Sequence, residues 1–204
     1  SEAYTLDIAP DHIQIGSSTC GGVFNGLQQL FRLLPPEVYA RRGIAPGTGI
    51  ACVRIEDKPR FGYRGMMLDV ARTWIGMDEV KRYIDLFSYH NINKLHLHLS
   101  DDEGWRIEIL SHPELTEIGG FRGGDSPVRP VYGKWSEKYG GYFKQSEMRE
   151  LIRYAALRNI EIIPEIDLPG HMLAALAAYP ELGCTGGPYE VWGRWGVADD
   201  VLCP

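Results

Sequence analysis

Charged and hydrogen-bonding side chains recur where three apolar segments of the sequence end. These segments lie within residues 64–72, 96–102 and 163–171, and each ends in a run that contains Asp, Glu, His or Arg. In folds built from parallel strands, the residues that follow the carboxyl ends of the strands meet at one face, where active sites lie. The sequence therefore predicts a polar site assembled from three separate parts of the chain.

The third segment carries two carboxylates on one side of a predicted strand. Glu165 and Asp167 are two positions apart, so both side chains point to the same face. Pro169 and Gly170 then turn the chain, and we expect this turn to bring His171 above the carboxylates. A histidine beside an anion suits a proton relay or an orienting group, because the anion raises its pKa and fixes its tautomer. A polar core in which these groups only satisfy one another is the alternative.

The second segment contains a histidine pair, His96 and His98, on one face of a predicted strand. Such a pair can chelate Zn²⁺, and Asp101 or His171 would complete the site. The sequence identifies no further set of ligands. Hydrogen-bonded interior histidines are therefore the favoured interpretation.

The first segment has an arginine at each end. Arg64 precedes the strand among aromatic and apolar neighbours, whereas Asp69 and Arg72 lie at or past its end. A guanidinium held against apolar surface can aim its donors at a ligand, and its planar fork suits hydroxyl or carboxylate groups. We therefore expect Arg64 to bind a ligand, with an exposed charge as the alternative.

Five tryptophans lie largely in predicted loops after strands, where their flat apolar faces can stack on sugar rings. They are Trp74, Trp105, Trp135, Trp192 and Trp195. Packing in the protein interior is the alternative for several of them.

The elements that position these residues begin with a small α+β unit, which we assign to residues 1–60. Alternating residues predict strands over 4–8 and 12–15, spacing of three and four predicts a helix over 24–34, and a strand over 51–55 follows a loop over 43–49. We predict a domain boundary near residue 60.

From residue 61 onward, strands and helices alternate. Strands are predicted over 65–70, 94–99 and 160–166, and helices from Asp78, Ser146 and Gly170. The apolar stripes of the first two helices are Val80, Tyr83, Ile84 and Phe87, and Met148, Leu151, Ile152 and Ala155. Residues 110–144 are too long for an ordinary connection, which indicates a functional loop.

This alternation predicts an α/β fold, namely the first three βα units of a (β/α)8 TIM barrel in residues 61–204. That range holds 204 − 60 = 144 residues, whereas a closed eight-stranded barrel needs roughly 250. We therefore expect the chain to end before a fourth strand. The open edge of such a sheet leaves backbone groups unpaired, so we also expect self-association through it.

Composition argues against several other classes of protein. The net charge is −6 and the basic residues are dispersed, unlike those of a nucleic-acid-binding protein. No apolar run approaches the roughly 20 residues that span a bilayer, and the amino terminus lacks a signal-peptide pattern. The four cysteines have no C-x-x-C spacing, so a structural zinc site is not expected. Cys184 and Cys203 flank a stretch that can fold back to pair them, but the sequence does not fix this connectivity.

At the three segments the chain closely resembles the β-N-acetylhexosaminidases of glycoside hydrolase family 20. The matching motifs are RGMMLDVAR at 64–72, NKLHLHLSDDEGWR at 93–106 and IPEIDLPGH at 163–171. They occur in the order of the family and at plausible separations. Residues 1–60 resemble the end of the small domain that precedes the family's barrel.

The resemblance implies an exo-acting enzyme that removes terminal β-linked N-acetylglucosamine or N-acetylgalactosamine with retention, using the substrate's acetamido oxygen as nucleophile. It implies no metal and no cofactor. Arg64 would bind sugar hydroxyls, Asp101 and His171 would support the acid Glu, and Glu165 and Asp167 would give neighbouring polar support. The implied substrates are N-acetylhexosamine-terminated glycans or chitooligosaccharides, and family habit favours a secreted or periplasmic location.

One departure from the family pattern concerns the catalytic general acid, a Glu. The family carries it in a His-x-Gly-Gly-Asp-Glu motif on strand four, and the 204 residues contain no such motif, since Asp125 of the Gly-Gly-Asp run is followed by Ser126. We therefore expect a fragment of a longer enzyme that is inactive alone. Glu103 also stands where many relatives carry Gln, a difference that we expect to matter little. A non-catalytic sugar-binding or assembly fragment, and a metal-dependent hydrolase, are the alternatives.

Overall fold

A computed structural model describes residues 2–40, 47, 49–124, 137–194 and 196–203. Predictions that concern Asp125, Ser126, Trp135, Trp195 and most of the loop over 43–49 lie outside the described residues. The chain divides into two compact units. The first contains the residues up to Arg64 together with Asp85–Asn93, and the second contains Gly65–Ile84 and the chain from Lys94 onward.

The first unit is built on a three-stranded antiparallel sheet. Its elements are β1 (Tyr4–Ile8), β2 (Ile13–Gly16), α1 (Cys20–Leu33), α2 (Pro36–Tyr39) and β3 (Val53–Asp57), and the strand order is β2-β1-β3. Alternate residues of β1, namely Tyr4, Leu6 and Ile8, are buried and form the core. The side chain of Thr19 caps α1 by accepting a hydrogen bond from the backbone N–H of Gly22 at 3.1 Å. The predicted strands and long helix are confirmed, whereas α2 was not predicted.

The second unit contains a parallel sheet of three strands, in which β5 (Lys94–His98) lies between β10 (Glu161–Glu165) and β4 (Gly65–Asp69). Helix α3 (Met77–Tyr89) has residues in both units. The other elements, in chain order, are β4 (Gly65–Asp69), β5 (Lys94–His98), β6 (Ser100–Asp101), β7 (Gly104–Trp105), α4 (Glu114–Glu117), β8 (Phe121–Gly123), β9 (Lys138–Gly140), α5 (Gln145–Ala156), β10 (Glu161–Glu165), α6 (Leu173–Ala178) and a 3₁₀ turn at Pro180–Leu182. The three parallel strands and the helices that follow them were predicted to within a few residues.

Side chains on the central strand β5 alternate as predicted. Leu95 and Leu97, with Leu99 just past the strand, are all buried. His96 and His98 point to the other face, where they meet Glu165. On β5, one face therefore packs into the apolar core and the other carries the two histidines.

The buried apolar faces of helices α3 and α5 are narrower than predicted. Val80, Ile84 and Phe87 of α3 are buried, but Tyr83 is 41% exposed. In α5, Met148, Leu151 and Ala155 are buried, but Ile152 is 50% exposed. Successive helical residues are about 100° apart, so Tyr83 and Ile152 lie at the borders of their stripes. Both helices also begin one residue earlier than predicted, at Met77 and Gln145.

The long connection after β5 contains regular structure that the sequence did not predict. It includes α4 and the antiparallel pair β8 and β9, in which Arg122 lies opposite Tyr139. No helix in the described part of the chain has both the length and the apolar character that crossing a membrane requires.

Candidate active site

The register of the parallel sheet aligns three polar residues at the carboxyl ends of its strands. Asp69 lies opposite His98, and His98 lies opposite Glu165. Nδ1 of His98 is 3.1 Å from Oε1 of Glu165, and Nε2 of His96 contacts the other carboxylate oxygen. These contacts bring the second and third predicted segments together.

Asp101 is the centre of the cluster. Its side chain is 1% exposed. Its Oδ2 lies 2.7 Å from Nε2 of His98 and 2.6 Å from a terminal nitrogen of Arg72, and its Oδ1 accepts a hydrogen bond from the backbone N–H of Asp102 at 2.7 Å. Burial acts to raise the pKa of Asp101, but the hydrogen bonds with His98 and Asp102 and the charge of Arg72 hold it below its usual value. Asp101 is therefore an ionised, fully engaged carboxylate.

The turn after β4 fixes the arginine that contacts Asp101. Oδ1 of Asp69 accepts hydrogen bonds from the backbone N–H groups of Ala71 at 3.0 Å and Arg72 at 2.9 Å, while Oδ2 lies 2.7 Å from the Arg72 guanidinium. Asp69 thus shapes the turn and orients the side chain at its end. Arg72 was noted in the sequence for its position, but no role was predicted for it.

Glu103 is a buried carboxyl beside this ion pair. Burial and the negative charge of Asp101 raise the pKa of Glu103 to about 8, and Arg72, whose Nε is 3.9 Å away, opposes the shift only in part. The protonated carboxyl of Glu103 shares a hydrogen bond with Asp101. For His98, burial acts to lower the pKa, but Asp101 and the other carboxylates raise it overall. The cluster therefore keeps a proton on Glu103 near pH 7 and favours the protonated form of His98.

The position of His171 corrects the predicted pairing. Its Nδ1 lies 3.2 Å from Oδ1 of Asp101 and 3.4 Å from Oδ2 of Asp102, so the contacts described for it join the second segment rather than Glu165 and Asp167. The backbone φ of His171 is 55°, which turns the chain toward Asp102, and Asp102 accepts a hydrogen bond from the N–H of Leu173 at 3.1 Å. Asp167 is held through its backbone N–H, which donates to Oγ of Ser100 at 3.0 Å.

Arg64 has a different environment from the one that was predicted. It lies before the start of β4, at the end of the strand away from Asp69. Its guanidinium donates to the carbonyls of Asn91 at 2.6 Å and Phe61 at 2.8 Å and forms an ion pair with Glu2 at 2.8 Å. The expectation that these donors aim at a ligand is therefore corrected, because groups of the protein occupy them.

Arg106 is a structural residue of this region that the sequence did not reveal. It is fully buried, and burial lowers its pKa to about 10, helped by the charge of Arg122. Within the described part of the chain, its guanidinium donates to backbone carbonyls, those of Val70, Ala71, Glu103, Gly120 and Gly141. A side chain at Gly104 would collide with it, since a Cβ there would lie 2.1 Å from a guanidinium nitrogen. Arg106 thus joins the end of β4 to the long connection.

The tryptophans that are described divide between packing and the candidate site. Trp105 is buried and donates its indole N–H to the carbonyl of Ile107 at 2.7 Å, so packing is the correct interpretation for it. The ring of Trp74 packs against Phe143, with centroids 4.6 Å apart. Trp192 donates its backbone N–H to the carbonyl of Asp102 at 2.9 Å.

A cavity of about 560 Å³ opens beside the cluster. It is lined by Asp69, Arg72, Thr73, Glu103, His171, Gly196 and Val197. Among the described residues, Asp101, Asp102 and His171 offer ligand atoms within 4.8 Å of one another, but the Arg72 guanidinium already contacts this carboxylate group. His96 and His98 do not belong to that group. The cavity therefore presents a cationic donor, a protonated carboxyl and an imidazole.

Comparison with known families identifies the chain. Residues 61–204 match the catalytic domain of glycosyl hydrolase family 20, and residues 1–58 match domain 2 of the same family. The chain belongs to glycosyl hydrolase family 20. The three segments that form the cluster all lie in the part that matches the catalytic domain of this family.

Individual relatives agree with this assignment to family 20. A beta-hexosaminidase of Porphyromonas gingivalis is 39% identical over 99% of this chain and 25% of its own length. The exo-β-N-acetylglucosaminidase of Vibrio harveyi, solved in complex with N-acetylglucosamine, matches with a TM-score of 0.81 at 42% identity over 89% of this chain and 28% of that one. The N-acetyl-β-hexosaminidase of Streptomyces plicatus matches with a TM-score of 0.86 at 44% identity over 98% and 38%. The chain thus spans between a quarter and two fifths of the length of these three relatives.

Proposed function

We propose that the protein containing this chain is an exo-acting β-N-acetylhexosaminidase. It would remove terminal β-linked N-acetylglucosamine or N-acetylgalactosamine with retention, using the acetamido oxygen of the substrate as nucleophile. The observation that carries the proposal is the Arg72–Asp101–His171 cluster beside a cavity, in a chain of glycosyl hydrolase family 20. The V. harveyi relative, crystallised with N-acetylglucosamine, supports this substrate class.

In this proposal Arg72 binds the hydroxyls of the terminal sugar, in place of Arg64. Its side chain is 37% exposed and lines the cavity while two carboxylates fix its orientation. Asp101 and His171 act as positioning residues, because Asp101 is too buried to touch a sugar and holds both Arg72 and His171. Glu165 and Asp167 give polar support, the former by fixing His98.

The general acid and its Asp partner are assigned to residues other than these 204, which lack the His-x-Gly-Gly-Asp-Glu motif. Loss of a positioned acid costs about 10²–10⁴-fold in rate. We therefore expect residues 1–204 alone to show no useful turnover of an aryl β-N-acetylglucosaminide. Robust hydrolysis by the pure 204-residue chain would contradict this assignment.

For the architecture, we propose that the parallel sheet forms the first three βα units of a (β/α)8 barrel, with residues 1–60 as part of a small α+β domain and 61–204 as the start of the catalytic domain. The order β10-β5-β4 supports this, because consecutive strands of such a barrel are neighbours. The natural substrates would be N-acetylhexosamine-terminated glycans or chitooligosaccharides, and neither nucleic acid nor membrane is expected as a partner. A secreted or periplasmic location, and self-association through an open sheet edge, are parts of the same proposal.

The test is hydrolysis of an aryl β-N-acetylglucosaminide by the full-length protein, with the anomer of the first-formed sugar followed by NMR. We expect the β anomer. Asp101→Asn should lower kcat/KM about 100-fold, because it removes the charge that holds Arg72. Asp78→Asn, on the exposed first turn of α3, is the matched control and should leave the rate unchanged. Binding of N-acetylglucosamine without hydrolysis by the full-length protein would favour the non-catalytic alternative.

A further inference from the structure

Cys184 and Cys203 lie at the two ends of a loop that folds back on itself. They are 203 − 184 = 19 positions apart, and both are exposed free thiols. Gly183 and Leu202 form an antiparallel bridge, and the backbone N–H of Cys203 donates to the carbonyl of Leu182 at 2.8 Å. The backbone therefore brings the two ends of the loop together, and each cysteine follows a residue of the bridge.

The two thiols lie near enough to interact. A hydrogen bond with Cys203 is the main cause that raises the pKa of the Cys184 thiol. The turn that follows Cys184 is also well defined, because Oγ1 of Thr185 lies 2.7 Å from the hydroxyl of Tyr189 and Gly186 takes a φ of 73°. The two ends of the loop are therefore held near each other before any bond forms between the sulfurs.

The loop between the cysteines, residues 185–202, forms part of the candidate active site. Asp102 accepts hydrogen bonds from the backbone N–H groups of Trp192 at 2.9 Å, through its carbonyl, and Ala198 at 3.4 Å, through its carboxylate. Gly196 and Val197 line the cavity. Whatever holds the ends of this loop therefore also holds one wall of the cavity.

We propose that Cys184 and Cys203 form a disulfide that closes the 185–202 loop against the candidate active site. The oxidant is a small disulfide such as glutathione disulfide. One cysteine thiolate attacks it and releases one glutathione thiol; the second cysteine then attacks the mixed disulfide and releases the other. Both cysteines lose their protons, two electrons pass to glutathione, and one protein S–S bond forms.

The bond stabilises the protein chiefly by restricting the unfolded loop. For a loop of this length we expect reduction to lower the melting temperature of the catalytic domain by about 5 °C.

The test is thiol mapping of the full-length protein after purification without reductant and incubation with glutathione disulfide. Free thiols are blocked with N-ethylmaleimide, and peptides are compared by mass before and after reduction. We expect a reduction-sensitive peptide pair that joins Cys184 to Cys203. Cys20→Ser, at another exposed cysteine, is the matched control and should leave this pair intact, whereas Cys184→Ser should free Cys203 for labelling.

Thermal unfolding of the wild-type protein gives a second readout, for which the double variant is the control. Reductant should lower the melting temperature of the wild-type protein and have no effect on the Cys184→Ser/Cys203→Ser protein. Complete labelling of both cysteines after oxidation, pairing of either with a different thiol, or a stable glutathione adduct on either would overturn the proposal. Neither readout uses hydrolase activity, so failure here is distinguishable from failure of the proposed function.

Discussion

The two ends of strand β4 each carry an arginine, but the two arginines have different environments. At the amino end, Arg64 donates to the carbonyls of Phe61 and Asn91 and pairs with Glu2. At the carboxyl end, Arg72 pairs with Asp69 and the buried Asp101 and lines a cavity. One guanidinium is used within the protein, whereas the other remains open to a ligand.

This difference follows from the direction of the strand. At the carboxyl end of a parallel sheet, the strands deliver side chains from several segments to one place. Asp69, His98 and Glu165 share one level there, so Arg72 meets a network of charged groups. Arg64, before the amino end, contacts two backbone carbonyls and the carboxylate of Glu2 instead.

The largest effect is expected when Arg64 and Arg72 are replaced one at a time in the full-length enzyme, which tests whether their roles differ. Arg72→Ala removes the arginine partner of the buried Asp101, which keeps its contact with His98, and it removes the proposed sugar contact. We expect kcat/KM for an aryl β-N-acetylglucosaminide to fall at least about 100-fold. Arg64→Ala is the matched control, with kcat/KM nearly unchanged. Equal losses in the two variants would refute the distinction between the two ends.

A third arginine sharpens the comparison, because Arg106 lies at the carboxyl end of β4 and yet serves the fold. Arg106→Met would remove the hydrogen bonds that Arg106 donates to five backbone carbonyls, and we expect the free energy of unfolding to fall by about 3 kcal/mol. Urea denaturation measures this loss. Arg149→Met, on the exposed surface of α5, should change stability by less than about 0.5 kcal/mol.

Much of this arrangement was predictable because the period of a strand is simple. The alternation of leucine and histidine over residues 94–99 predicted one apolar and one polar face, and both are present. The same rule identified the three segments that meet at the carboxyl ends. Asp101 and His171 do lie in one cluster, although the expected partners of His171 were the wrong carboxylates.

The missed features depend on contacts between residues far apart in the sequence. Arg106 bonds to carbonyls up to 36 positions away, and no local pattern reports such partners. The role of Arg64 was misjudged because apolar neighbours in sequence do not show where its donors point. Tyr83 and Ile152 lie at the borders of helical stripes, where the apolar pattern alone does not determine burial.

Glu103, in the cluster at the carboxyl end of the sheet, should make the stability of the protein depend on pH. Its folded pKa of about 8 lies above the ordinary value of 4.5, so between these pH values the folded protein keeps a proton that the unfolded chain has lost. Stability from this site must therefore fall as pH rises from 4.5 toward 8 and then level off. Glu103→Gln removes this pH dependence. The free energy of unfolding of the variant, relative to that of the wild type, should therefore increase as pH rises.

Urea denaturation at pH 5, 6.5 and 8 measures the difference between the two proteins. His98, whose folded pKa is also raised, contributes stability at low pH that is lost as pH rises through its folded pKa, but it does so in both proteins. Glu79→Gln, on the exposed first turn of α3, is the control for removal of a charge. A constant difference between wild type and Glu103→Gln across the three pH values would show that Glu103 is ionised like an exposed carboxylate.

The smallest expected effect concerns the two histidines of β5. His98 is buried and joins Asp101 to Glu165, whereas His96 lies one strand period further from the carboxyl end, is 37% exposed and contacts Glu165. Exposed ion pairs contribute about 0–1 kcal/mol, so His96→Ala should lower kcat/KM less than about fivefold. His98→Ala is the matched variant and should cost much more, because it leaves Asp101 and Glu165 without their shared partner. If His96→Ala were as damaging as His98→Ala, the active region would extend along the strand rather than being confined to its carboxyl end.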